Sequence, residues 1–316
     1  MNETKTKWPG PPGLIPVTSG RADDANQINR HYLDRLMVEM RVIDARIPDL
    51  HTEIFGKLYD SPIMMPAFSH LNKAGIQDRQ PMEEYAKAAT ILNIVNWVGM
   101  ESDEEYENIA KYAPGSIRII KPFADHHRIR SEIQFAKSQG AIAVGIDIDH
   151  IAGKDGNFDI VDGIPLGPIF QADLKAYVQE AGIPFIAKGV LSVQDACIAA
   201  NAGCAAIVVS HHHGRIPYGM PPLALLPGIK KALQKTNVKI FVDCGMDSGY
   251  DAYKALALGA DALSVGRSIL KPLLKDGSKG VVSKIQHMNE ELKQLMLYTS
   301  IANTSSFDPS VIHYMK

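Results

Sequence analysis

The residues best suited to chemistry stand together at Ser210-His211-His212-His213-Gly214-Arg215, directly behind an apolar run at 205–209 that is rich in β-branched side chains. Such a run reads as a strand buried on both faces. An imidazole exchanges a proton near neutral pH, and a guanidinium grips a carboxylate through two parallel hydrogen bonds. A lone histidine here would be an ordinary loop residue. Three of them with Arg215, delivered by a buried strand to one rim, mark a candidate site. Other apolar runs end in the same manner. Asn96 falls near the end of 94–97, Asp147 and Asp149 near the end of 141–149, Lys188 at the end of 184–188, Asp243 at the end of 238–243, and Arg267 just past 262–266.

The elements that must position these groups alternate. Short apolar runs at 62–66, 94–97, 117–121, 141–149, 184–188, 205–209, 238–243 and 262–266 are separated by helical patterns at 81–92, 103–112, 127–139, 172–181, 193–202, 223–235 and 249–258. About eight strand–helix units in one chain predict an α/β fold, a TIM (β/α)8 barrel, rather than a doubly wound sheet, which needs fewer units. Closure of the barrel brings every strand's C-terminal end to one face, so polar residues far apart in sequence converge. One domain is expected over 1–316, with 1–60 as an N-terminal extension that carries a helix at 24–42; residues 9–20 are too rich in proline and glycine for regular structure.

Composition bounds the function. The chain has 316 residues, 46% of them hydrophobic, enough for a full core, and its formal charge of -2 with no basic block argues against nucleic acid as partner. No apolar run reaches the roughly 18 residues of a membrane span, and the first residues do not form a secretory signal. Cys197, Cys204 and Cys244 make no metal-binding or disulfide pattern, which fits a reducing, cytoplasmic setting.

Three blocks resemble the FMN-dependent 2-hydroxy acid oxidase and dehydrogenase family: Ile186-Ala187-Lys188-Gly189-Val190; Ile207 through Arg215; and Phe241-Val242-Asp243-Cys244-Gly245 together with 254–262 and Val265-Gly266-Arg267. Weaker similarity runs back to Ser19-Gly20. The resemblance implies an FMN-linked barrel that oxidises a small 2-hydroxy acid, with O2 or another oxidant as electron acceptor, and a homotetramer or octamer. It implies His212 as the base, Asp147 as its partner and Arg215 on the substrate carboxylate. It implies Pro66, Ala67 and Phe68 against the flavin ring, with Asn96, Arg118, Lys188 and Asp243 as further cofactor contacts. Gly245, Gly266 and Arg267 fall on the phosphate loops, and no metal is implied.

The departures are specific. Asp247 stands where the family has a phosphate-binding arginine, His213 replaces a glycine, and Ile120 takes the place expected for a substrate tyrosine. The loop after the fourth strand lacks a second substrate arginine; Asp149-His150 lie near that place. With Arg215 as the one matched anchor, an aliphatic Ile120 and a shortened loop over the mouth, a more open, apolar pocket is expected, and bulkier substrates, aromatic or branched or a hydroxy acid embedded in a larger molecule. The runner-up reading is an FMN barrel with a diverged isomerase or reductase activity. A third reading, a metal-dependent hydrolase, is disfavoured because adjacent strand residues point to opposite faces, so His212 cannot easily join His211 and His213 on one ion, and because Lys188 and Arg267 repel a cation.

Overall fold

The computed structural model of the protein describes residues 21–74, 79–153 and 155–315; the proline-rich start at 9–20 lies outside them. Eight parallel strands form the centre: β1 (Ile63–Met64), β2 (Trp97–Val98), β3 (Ile117–Ile120), β4 (Val144–Asp147), β5 (Phe185–Val190), β6 (Ala206–Val209), β7 (Lys239–Val242) and β8 (Ala262–Ser264). They pair in the order β1-β8-β7-β6-β5-β4-β3-β2. The Met65 N–H donates to the Val95 carbonyl at 2.9 Å, joining the two ends of that order into the (β/α)8 barrel expected from the sequence.

Alternation along each strand splits the core in two. Met64, Val95, Trp97, Ile117, Ile119, Ala143, Ile186, Ala206, Val208, Phe241 and Ala262 fill the barrel. Their neighbours, such as Ile207 and Val209, pack outward against the helices. A hairpin of Thr52–Ile54 and Lys57–Tyr59 precedes β1 and adds Ile54 and Tyr59 to the inner cluster, closing the end opposite the site.

The helices begin α1 (Ala25–Asp34), α2 (Pro81–Ile91), α3 (Asp103–Tyr112) and α4 (His126–Ser138). They continue α5 (Gln171–Ala181), α6 (Val193–Ala202), α7 (Pro222–Leu233), α8 (Gly249–Ala257) and α9 (Leu270–Tyr298). Side-chain caps start several of them. Ser102 and Glu105 form a reciprocal capping box on α3, while Ser192 and Ser248 cap α6 and α8.

Two features correct the sequence reading. The helix expected at 24–42 stops at Asp34, and Leu36–Val38 instead forms an antiparallel strand with Ile312–Tyr314 near the other end of the chain. A partner so remote in sequence leaves no local signal. A further helix follows the last strand, beyond the eight strand–helix units expected. There α9 packs on α2 and α8 and is interrupted at Gly277, where Arg79 donates to the freed carbonyls of Leu273 and Leu274.

The contact between α8 and α9 is closest at Gly249. A Cβ there would meet the Met288 carbonyl oxygen and come within 2.6 Å of the Leu292 nitrogen. Neither backbone atom can turn away, so Gly249→Ala is expected to destabilise the fold by about 2 kcal/mol, within the usual range for overpacking. Urea unfolding of the variant should show the midpoint shift without loss of cooperativity.

Candidate active site

The inward-facing side chains at the strand ends converge on Asp147, the last residue of β4. Its carboxylate is buried, with Oδ2 2.6 Å from Lys121 Nζ and Oδ1 2.9 Å from Lys188 Nζ. Burial opposes its charge, but the two ammonium groups overcome that and hold Asp147 well below the ordinary carboxylate range. Burial likewise opposes the charge on Lys188, yet Asp147, Asp243 and Asp149 hold its ammonium above the usual lysine range.

His212 lies beside this cluster. The strand before it ends at Val209, and His212, His213 and Gly214 then all adopt positive φ, at 44°, 63° and 81°. The alternation that governs a strand therefore does not apply to these histidines. His211 is buried and caps the turn, its Nδ1 accepting from the Gly214 N–H at 2.9 Å. The His212 ring projects its Nδ1 to Asp149 Oδ1 at 3.0 Å, with Asp147 Oδ1 farther away at 3.8 Å. This corrects the expected pairing: the carboxylate bonded to His212 is Asp149, because both oxygens of Asp147 are already engaged by lysines. The strand ends at Asp147 and the chain turns at 148–150; read from sequence as one extended run, the two aspartates share a face, and sequence alone does not separate them.

Arg215 lies over the same rim. Its Nη1 is 3.6 Å from Asp159 Oδ2 on the loop after β4, and the same oxygen is 2.9 Å from His150 Nε2. The rings of His150 and His212 meet edge to face at 5.7 Å.

Below these groups a small cavity is walled by Met64, Ala67, Trp97, Val208, Phe241, Val242 and Ser264, with Lys188 and Asp243 as its charged members. Of the segment expected at the flavin ring, Ala67 faces this cavity and Pro66 is buried, whereas the Phe68 ring turns outward onto Tyr85 of α2. Gly245 has φ +77°, and Gly266 has open space where a Cβ would stand. Next to it the Ser268 hydroxyl is buried with no hydrogen-bond partner among the described residues. Arg267 donates to Asn26 Oδ1 at 2.8 Å. Asp247, where the resemblance implies a phosphate-binding arginine, is exposed, and Lys284 of α9 brings its ammonium to the Asp247 carbonyl at 2.8 Å.

Two expected cofactor contacts face the wrong way. Asn96 points into the helix layer and donates to Ser116 Oγ at 2.8 Å. Arg118 does the same, donating to the Glu101 carbonyl at 2.8 Å and lying over the Tyr106 ring. Ile120 shares Arg118's outward face, so it does not take a place in the substrate pocket. The inward residues are Trp97 and Lys121, one position along in each strand. Trp97 carries a buried indole N–H without a partner among the described residues, a donor beside the cavity. A one-residue slip in register turns every side chain to the other face, and that slip is the source of the error.

An aromatic and aliphatic wall, an anion cradle of glycine backbone with a spare hydroxyl, and a buried lysine facing the wall together fit a planar cofactor with one phosphate. A barrel with this site at its strand ends defines a flavin-type oxidoreductase. Comparison with known proteins agrees: the sequence matches the FMN-dependent dehydrogenase family over residues 16–172 and 169–314. The chain belongs to that family, and its cofactor is FMN. It is 27% identical to glycolate oxidase of Spinacia oleracea, over 85% of this chain and 82% of that one. It is 28% identical to L-lactate oxidase of Lysinibacillus sphaericus (strain C3-41), over 95% and 86%. The fold superposes on a crystal structure of mandelate oxidase with a TM-score of 0.81 at 23% identity, covering 93% of this chain and 91% of that one. No described helix is long and apolar enough to cross a membrane.

Two outcomes follow from the charges. Asp147→Asn strands two buried ammonium groups and is expected to lower stability by roughly 3–5 kcal/mol, the range for breaking a buried ion pair; denaturant unfolding measures it. The second concerns His150, which burial and the cations of Lys121 and Arg215 push down to about 4 from 6.5. Between those values the unfolded chain binds more protons than the folded one, so stability falls as pH drops through that window. The stability advantage of wild type over His150→Phe should therefore be smaller at the acid end of the window than above it, read by thermal melts at both.

Proposed function

We propose that the protein oxidises a 2-hydroxy acid to the 2-oxo acid, with FMN as the immediate oxidant and O2 or another oxidant reoxidising it. The observation that carries this reading is the His212–Asp149 hydrogen bond at 3.0 Å with Arg215 on the same rim. With Nδ1 held by Asp149, the ring's Nε2 is left to accept the substrate's hydroxyl proton. Asp149 then stabilises the imidazolium, the role a carboxylate partner plays for a histidine base. Arg215 is suited to hold the substrate carboxylate and so orient Cα. When bound, FMN supplies acceptance of the Cα hydrogen with its two electrons. Lys188 and Asp243 would line the ring's polar edge, Ala67 and Trp97 its faces, and Gly245, Gly266, Arg267 and Ser268 the phosphate. Lys188 places a buried positive charge against the wall where the ring would lie, and that charge would favour electron transfer toward it.

A divalent cation is a weaker reading. Ligand atoms of Asp147, Asp149 and His212 lie within 4.8 Å of one another, but the lysines already neutralise Asp147. The relatives' names, glycolate and L-lactate oxidase, support hydroxy acid oxidation over the isomerase or reductase alternative.

His212→Ala should retain FMN, seen as yellow protein, yet slow anaerobic bleaching by substrate by roughly two to four orders of magnitude. Asp149→Asn should slow it by about ten- to a hundred-fold through the lost imidazolium stabilisation. Stopped-flow flavin reduction measures both; bleaching at the wild-type rate in the His212 variant would exclude it as the base.

A further inference from the structure

The loop that follows β4 holds a second imidazole whose partners are unusually well fixed. Asp159 is pinned at each polar atom: its N–H donates to the Ile151 carbonyl, its carbonyl accepts from the Leu166 N–H, and its Oδ1 accepts from the Ile160 N–H, all at 2.9 Å. Only Oδ2 is left, and it faces His150 Nε2 at 2.9 Å and Arg215 Nη1 at 3.6 Å. His150 is buried, its side chain 9% exposed, beside the His212 ring and within the fields of Lys121 and Arg215. Those cations and its burial keep the ring neutral above about pH 4.

A neutral imidazole carries one proton, and a carboxylate can only accept. The proton on His150 is therefore on Nε2, against Asp159, and Nδ1 is a bare acceptor. That Nδ1 is buried with no hydrogen-bond partner among the described residues, and so is Asp149 Oδ2 on the carboxylate that holds His212. Arg215 Nε, a donor, is in the same condition. Among the described residues, the donor on Arg215 and the acceptors on His150 and Asp149 are thus left unmet beside the base. A substrate carboxylate answers the donor. It cannot answer the acceptors, which need an O–H or N–H, and the 2-hydroxyl is already committed to His212.

Resting on the function proposed above, we infer that His150 is a specificity-determining residue, its Nδ1 accepting a hydrogen bond from a second hydroxyl group, and that the preferred substrates are 2-hydroxy acids bearing a further hydroxyl on the neighbouring carbons. The expectation of a bulky apolar substrate rested in part on Ile120, which faces the helix layer; the side chain at that height inside the barrel is Lys121, charged and bonded to Asp147. A monohydroxy acid leaves the His150 acceptor buried and unpaired, a loss corresponding to roughly five- to a hundred-fold in specificity.

The test uses pairs of acids that differ by one hydroxyl: lactate against glycerate, and 2-hydroxybutyrate against 2,3-dihydroxybutyrate, in both configurations. Anaerobic flavin reduction by the FMN-loaded enzyme gives kcat/KM-type constants for each. The dihydroxy member of each pair should be faster by the stated factor. His150→Phe should bring the ratio to about one, whatever it does to the absolute rates. His150→Asn, which can place an amide oxygen where Nδ1 stood, should restore part of the preference. His150→Gln keeps the reach to Asp159 without that acceptor and should not. A wild-type ratio at or below one, or a ratio that His150→Phe leaves unchanged, overturns the assignment of His150 while leaving hydroxy acid oxidation intact. Bound FMN that no hydroxy acid in the panel bleaches overturns the oxidation reading itself, and the inference with it.

Discussion

The site depends first on the carboxylate of Asp147 between two ammonium groups. Lys121 directly follows β3, Asp147 ends β4 and Lys188 lies within β5, three adjacent strands, and their side chains meet inside the barrel mouth. Removing these charges from water is costly, and each offsets the desolvation of the others only while all three are present. The cluster therefore fixes the three strand ends relative to one another. It also decides which aspartate serves His212. With both of its oxygens held, Asp147 stands off at 3.8 Å, and Asp149 takes the hydrogen bond at 3.0 Å.

The loops of the other strands are held from outside, by α1. Asn26 donates to the His213 carbonyl and accepts from Arg267, Asn29 donates to the Cys244 carbonyl, and Arg30 reaches the Gly245 carbonyl and pairs with Asp251. One short helix thus ties the loops after β6, β7 and β8. This matters because His212, His213 and Cys244 all sit at positive φ, where a side chain is strained. Such conformations persist when the surroundings over-determine them, and these hydrogen bonds are the surroundings. Where the resemblance implies a glycine, His213 sits in a turn braced in this way.

The polar residues on this side of the rim form a connected set. Lys121 occupies the inner face of β3, and His150 and Asp159 fill the space near which a second cationic anchor was expected. Because Asp159 is held by three backbone contacts, it orients Arg215 without being free to leave with a ligand. Where the resemblance implies a second positive anchor, this chain holds a fixed carboxylate and a neutral imidazole, which pair with different groups.

The sequence by itself determined the architecture and the rim. Alternating apolar runs and amphipathic helices predict eight units, and the polar residue closing each run indicates which end of the barrel carries the chemistry. His212, Arg215, Lys188 and Asp243 could be placed at that end because each follows a run long enough to read. Tertiary structure decided the faces. β1 and β2 are only two residues long, and in β3 a register error of one residue is enough to exchange Ile120 for Lys121, as in β2 it exchanges Asn96 for Trp97. Side chains alternate with a period of two, so composition does not reveal which set turns inward until neighbouring strands fix the register. The choice between Asp149 and Asp147, and the end of α1 at a strand paired with the C-terminal segment, have the same origin. Each is set by a partner distant in sequence, whose charge or backbone edge leaves no mark on the residues it governs.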